Sequence, residues 1–264
     1  MGIEYADMKL ILATLKQEES VRRGRLLILG DAVIHFSVDQ YIALAKEFEY
    51  PLKVNPLTLT PFTLGESLGF ATTETLDISG KASLTLNLQQ DIPEDLLGQF
   101  DCLIDAGVLF WCFEPGLVLK NIYRLVKQGG LIIHITAVAG FFGRGYYNIQ
   151  PLLFVDFYQT NQCQYICASY RATPRYRTLM MRVKSLLRFK KQAGSVSHSI
   201  SSEDVFLNEG MDGIISFTNK IKSPESGVIP NNTVGIFVFK KKSNIEPQEP
   251  VLTEFRVRER QGLC

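Results

Sequence analysis

The residues best placed to do chemistry stand at the ends of apolar runs. Leu29-Gly30-Asp31 close the run that starts at Leu26, Asp77-Ile78 close Phe70 to Asp77, Asn87-Leu88 close Leu84 to Leu88, and Asp105-Ala106-Gly107 close Phe100 to Asp105. A carboxylate at a strand terminus can accept hydrogen bonds from both hydroxyls of a ribose, which is the chemistry assigned to Asp77; the bland alternative is a turn or helix cap. Asn87 and Leu88 offer a carboxamide and an apolar wall to a flat base such as adenine. Gly107 lets backbone come close to a ligand.

Other constellations are weaker. Gly65-Glu66-Ser67-Leu68-Gly69 fits G-x-S-x-G. A nucleophile elbow needs a strand before it and a helix after it, and a proline-bearing loop precedes this one, so a helix end and turn is preferred. His134 in Leu131-Ile132-Ile133-His134-Ile135 is more often a satisfied core residue than a catalyst, yet it lies near the ligand end and stays a candidate base. Tyr146 and Tyr147 follow a glycine-rich stretch and are further candidates for catalytic contact. His35, Trp111, Arg144 and Asn148 are candidates for holding a substrate. Cys163 and Cys167 have no histidine nearby, and three histidines in all give a metal site few ligands, so no metal is expected.

These positions need a scaffold that brings strand ends together. Residues 4–23 and 38–49, Glu114 to Val126 and Pro151 to Thr160 read as helices. Five strands lie between them up to Leu131–Thr136, and Tyr165–Tyr170 and Val234–Phe239 add two more. Strands alternating with helices predict an α/β, Rossmann-like, doubly wound and mostly parallel seven-stranded sheet with helices on both faces. Ligands then bind beyond the carboxyl ends of the strands. The expected organisation is an N-terminal helix (1–24), one domain (25–240) carrying an insert at about 171–233, and a mobile tail (241–264). The insert contains Arg171, Arg175, Arg177, Arg182, Lys184, Arg188, Lys190 and Lys191 with no acid until Glu203, and Leu179, Met180, Val183, Leu186 and Leu187 fall on one helical face. It reads as a basic helix, either packed by its apolar face or free to meet an anionic ligand or surface.

Three pieces in order resemble the class I S-adenosylmethionine-dependent methyltransferases, specifically a bacterial branch. They are Leu76-Asp77-Ile78-Ser79 with Leu84-Thr85-Leu86-Asn87-Leu88, then Val126-Lys127-Gln128-Gly129-Gly130, then Gly145-Tyr146-Tyr147-Asn148-Ile149-Gln150-Pro151. The resemblance runs from about Leu64 to Gln162. It implies S-adenosylmethionine as cofactor, S-adenosylhomocysteine as product and a small-molecule acceptor. It also implies that Asp105 receives the methionine ammonium. The chain departs from that pattern twice. The usual glycine-rich turn is reduced to Gly30-Asp31-Ala32-Val33, and a Glu-His pair of the relatives is Phe110-Trp111 here. The latter leaves three outcomes: an altered substrate, an apolar acceptor pocket, or a binding subunit that has lost activity.

Composition sets the outer limits. Lys+Arg 28 against Asp+Glu 27 gives a formal charge of +1, which excludes global nucleic-acid affinity. Five irregularly spaced cysteines argue for reduced thiols in a cytoplasmic protein. Glu4 and Asp7 stand where a signal peptide wants a positive charge, and Ala6 breaks the myristoylation pattern. Gln128 to Gly143 is glycine-interrupted and shorter than the roughly 20 apolar residues of a spanning helix. A homodimer remains open to the chain.

Overall fold

The computed structural model describes residues 2–172, 205–207 and 232–252. Its strands are β1 (Gly2–Ile3), β2 (Arg25–Leu29), β3 (Val33–Ile34), β4 (Thr72–Asp77), β5 (Leu84–Thr85), β6 (Phe100–Asp105), β7 (Val126–Ala139), β8 (Cys163–Ala172), β9 (Val205–Leu207) and β10 (Thr233–Lys241). Its α-helices are α1 (Tyr5–Gln17), α2 (Val38–Glu47), α3 (Pro61–Leu68), α4 (Pro115–Leu125) and α5 (Pro151–Thr160). The main sheet runs β5-β4-β2-β6-β7-β10-β8-β9. The first five strands are parallel, whereas β10 is antiparallel to both β7 and β8. Taken in chain order within this sheet, the parallel half reads 3-2-1-4-5, the mononucleotide-binding arrangement. The expected doubly wound α/β sheet is therefore present, with eight described strands rather than seven; the addition is the three-residue edge β9.

Apolar runs explain the centre of the sheet. Leu26 to Leu29 and Cys102 to Ile104 are buried on both faces, as parallel strands between helix layers must be. The two layers can be told apart on β10. Phe237 and Phe239 stack on Phe154 and Tyr158 of α5 at 4.7 and 4.3 Å. Val238 turns the other way and is paired in register with Cys167, whose thiol meets Thr14 of α1. Thus α1 and α5 cover opposite faces.

The helix end and turn preferred at Gly65–Gly69 is present, and two other local readings change. The segment before Gly69 is a helix, α3. Thr60 caps it, Pro61 opens its first turn, where a missing N–H costs nothing, and Gly69 closes it at φ +100°. Ser67 is buried inside this helix, donating to Val54 O and accepting from Tyr41, so it is no nucleophile elbow. The third strand is only Leu84–Thr85. Residues 242–252, expected to be mobile, are instead strapped down. Tyr123 donates to Ser243 O, Arg124 pairs with Glu246, Lys120 with Glu249, and Asn161 and Gln248 exchange two hydrogen bonds.

The basic insert beyond Arg171 falls outside the described residues apart from β9, as do His198, Cys264 and the tail from 253. Arg171 itself forms a buried ion pair with Asp7 of α1. Among the described residues no helix is long and apolar enough to cross a membrane.

Candidate cofactor cavity

A cavity of about 360 Å³ opens where β4, β2 and β6 end. That volume lies in the range of small-molecule sites. Gly30 forms its base at φ +84°, with its N–H donated to Leu76 O at 2.7 Å. A Cβ at this position would stand 2.9 Å from Val108 Cγ2, so only glycine leaves both the turn and the opposite wall in place. Asp31 follows, exposed, on the same wall.

Asp77 ends β4 on the cavity wall. Its Oδ1 accepts the Ser79 N–H at 2.7 Å, which orients the carboxylate, and its Oδ2 lies 3.9 Å from where a Gly30 Cβ would be. Ile78 is exposed beside it. Asn87 Oδ1 accepts Gln89 N–H, so the amide N–H₂ is the end it offers a ligand. Leu88 supplies buried apolar surface. Residues 88–90 are held from below by Asn121, a buried residue of α4 whose amide donates to Leu88 O and Gln90 O, while Arg124 holds its Oδ1. Sequence reasoning missed Asn121. Its signal is a lone carboxamide on the apolar face marked by Val118, Leu119 and Ile122.

Ala106 and Gly107 line the cavity, with Gly107 at φ +89°. Asp105 and Leu29 do not. Leu29 is fully buried behind the wall, in register with Leu76 and Asp105. Asp105 is also fully buried and spends its oxygens internally. Oδ1 accepts Gly107 N–H at 3.1 Å and Val108 N–H at 2.7 Å, and Oδ2 meets His134 Nδ1 at 2.9 Å. It shapes the loop that touches a ligand and, sealed behind that loop, presents no oxygen to the cavity. His134 is likewise sealed, with Nε2 2.6 Å from the Tyr158 hydroxyl. Burial raises the Tyr158 pKa well above its usual value, so this hydroxyl keeps its proton and is able to donate to Nε2. Since a carboxylate only accepts, Nδ1 carries the proton of the bond to Asp105. A base must reach the proton it takes, and this ring reaches only Asp105 and Tyr158.

Of the departed pair, Phe110 is buried beneath Gly145 and away from the cavity, whereas Trp111 lines it. The aromatics therefore leave the cavity open. Tyr146 and Tyr147 are exposed and do not line it; their N–H groups donate to Phe110 O. Arg144 lies over the Phe141 ring and donates to Asn232, and Asn148 is exposed. His35 is exposed beside Gly2, with its N–H on Ile3 O. These four residues and His35 stand outside the cavity wall, because the loops that carry them fold back over Phe110 or pair with β1.

The cavity is acidic. Asp31 and Asp77 are its charged lining residues, and among the described residues no lysine, arginine or histidine lines it. Cys112 completes the wall, its thiol pushed up to about 11 by burial and then by the nearby Asp105 charge. Among the described residues the lining also holds no phosphate cradle. The chain after Gly30 enters β3, and α2 begins only at Val38, with Ser37 Oγ already accepting a first-turn N–H from Gln40.

No family model matches the sequence, and no curated protein does. Solved structures similar to it include a phosphoethanolamine N-methyltransferase from Haemonchus contortus in complex with S-adenosyl-L-methionine, at 14% identity over 90% of this chain and 53% of that one, TM-score 0.40. The chain thus spans about half the length of that enzyme. A Bacillus halodurans protein described as a putative methyltransferase is similar at 10% identity over 88% and 99% of the two chains, TM-score 0.43. The O-methyltransferase segment of StiE is similar at 13% identity over 97% and 81%, TM-score 0.42.

Proposed function

We propose that the cavity binds S-adenosylmethionine and that the chain directs its methyl group to a small-molecule acceptor. One observation carries this reading. The strand-end carboxylate Asp77 is held ready for a ribose, while the adjoining turn offers no phosphate cradle and carries Asp31 instead. A dinucleotide needs both the carboxylate and the cradle, whereas an adenosyl sulfonium needs only the first.

The residues fit that group part by part. Asp77 would accept the ribose hydroxyls, the Asn87 amide and Leu88 would hold the adenine, and Gly30 and Gly107 would admit the amino-acid portion close to backbone. When bound, S-adenosylmethionine supplies an electrophilic methyl group on a positively charged sulfur. The work left to this chain is to orient the acceptor, exclude water and balance charge. Asp31 and Asp77 favour a cationic ligand over an anionic one.

A second reading, a cofactor-binding subunit without turnover, is favoured by one feature: among the described residues no histidine, lysine or tyrosine lines the cavity to act as a base. Calorimetry with S-adenosylmethionine and S-adenosylhomocysteine tests binding, and release of S-adenosylhomocysteine on incubation with candidate acceptors tests turnover. Binding with no turnover across amine, phenol and thiol acceptors would favour the second reading. Absence of binding by folded protein would remove both.

A further inference from the structure

Among the described residues, exposed aromatic side chains are concentrated in one place. Six aromatics are exposed, and five of them (Trp111, Phe113, Phe142, Tyr146 and Tyr147) lie on the two loops that follow β6 and β7. Four of these belong to one tied unit. Tyr146 and Tyr147 both donate their N–H to Phe110 O, at 2.9 and 3.2 Å, and the Tyr147 hydroxyl donates to Phe113 O at 3.1 Å. The Phe113 ring meets Tyr146 edge-on at 6.1 Å, and Tyr146 meets Tyr147 at 6.4 Å. Trp111, two residues before Phe113, is also a wall of the cavity. The rim therefore continues the cavity outward.

We infer that this rim is a platform for a planar aromatic small molecule carrying no negative charge, which stacks beside Trp111 as the acceptor. The inference rests on the proposed cofactor reading of the cavity. Exposed rings held in place by backbone hydrogen bonds are a prebuilt stacking surface, because little order remains to be imposed when a ring lands on them. The charged side chains of the adjoining cavity are Asp31 and Asp77, which repel an anion. Arg144, on the same loop as Tyr146 and Tyr147, is occupied by the Phe141 ring at 4.4 Å and by Asn232.

Size separates a small molecule from a protein partner. The fractional exposures of Trp111, Phe113, Tyr146 and Tyr147 are 50, 65, 69 and 38%. At about 200 Å² per ring they present roughly 450 Å². A stable protein interface takes about 800 Å² from each partner. The rim suits a ligand of two or three fused rings.

Equilibrium dialysis with 2-naphthol and 2-naphthoate, on protein saturated with S-adenosylhomocysteine, tests this. The expected result is at least tenfold tighter retention of 2-naphthol. A Phe113→Ser/Tyr146→Ser double variant should lose that retention tenfold while S-adenosylhomocysteine affinity, read by calorimetry, stays within twofold. Tyr146→Ser alone should give a partial loss, which keeps the test usable if the double variant does not fold. Equal retention of the two naphthalenes, or retention unchanged in the variants, would overturn the inference. So would a wild-type dimer in sedimentation that the double variant dissolves, since a second copy would then cover the rim. Failure of S-adenosylhomocysteine to bind would strike the cofactor reading instead, and dialysis without it would still report on the rim.

Discussion

Tyr158→Phe removes one oxygen from a sealed site and tests how the cavity loop is held. In the native chain the Tyr158 hydroxyl is bonded to His134 Nε2, His134 Nδ1–H donates to Asp105, and Asp105 gathers the N–H groups of Gly107 and Val108. Three elements are joined in this way: α5, β7 and the end of β6. The substitution leaves Nε2 an acceptor without a donor in a fully buried ring. An unsatisfied buried polar group costs about 1–3 kcal/mol. For a chain of this size each kcal/mol lowers Tm by about 2–4 °C, so a drop of roughly 2–12 °C is expected. The second expectation is local. With the imidazole free to change tautomer or turn, Asp105 loses its fixed partner, and amide hydrogen exchange at Gly107 and Val108 should accelerate at least tenfold. Exchange at Leu26 to Ile28, in the centre of the sheet, should follow only the global stability. His134→Leu is the harsher control. It takes the donor from Asp105 Oδ2 while Oδ1 keeps the Gly107 and Val108 N–H groups, and losing a hydrogen bond to a buried charged group costs at least as much, about 1–3 kcal/mol. In the native protein, nitrogen NMR of the imidazole should report a protonated Nδ1 and a bare Nε2. An unchanged Tm with unchanged exchange at Gly107 and Val108, or an Nε2–H tautomer in the native protein, would refute the reasoning.

Gly30→Ala should abolish measurable S-adenosylhomocysteine binding in calorimetry, since it combines a left-handed backbone with a 2.9 Å approach to Val108; retained affinity would show the wall is softer than this. Asn161→Ala removes both hydrogen bonds to Gln248, and limited proteolysis should then cut within 242–252 before the rest of the sheet. Stability should fall above pH 9. Burial raises the Cys112, Cys163 and Cys167 thiols to about 11, 12 and 11, and Cys102 further still. A raised folded value means the unfolded chain loses thiol protons first, so stability held below pH 9 is lost between 9 and the folded values. Lys241, lowered to about 8 by burial, works the other way above pH 8 but is one group against four. A Tm that is level from pH 9 to 11 would contradict this.

The sheet was legible because its central strands are short apolar runs closed by Asp or Gly. Phe100–Asp105 and Pro151–Thr160 appear in the structure with the boundaries their sequence suggests. Helix α3 was legible only at its end near Gly69; its start was not, since Pro61 signals a loop unless its place in the first turn is known. The 242–252 strap was hidden because polar, proline-bearing sequence reads as tail, whereas its partners Tyr123 and Asn161 lie far away in the chain. The cavity side chains show the same divide. Strand-end position brought Gly30, Asp31, Asp77, Ile78, Asn87, Leu88, Ala106 and Gly107 together. It did not say which way Asp105 turns, because that is decided by His134, a residue on the next strand paired with it in register. Loop residues 144–148 carried no periodicity to place them, and their N–H partner, Phe110 O, is a long-range contact.

The central claim is that the acidic, cradle-free cavity at Asp77 and Gly30 is an S-adenosylmethionine site. Calorimetric titration of wild type and Asp77→Ala with S-adenosylmethionine and S-adenosylhomocysteine tests it most directly. Loss of hydrogen bonds to a charged group costs about 1.5–3 kcal/mol, roughly 10- to 150-fold in affinity. The account predicts binding of both ligands by wild type and a weakening of that size in folded Asp77→Ala. Absence of binding by folded wild type, or equal affinity in the variant, would contradict it.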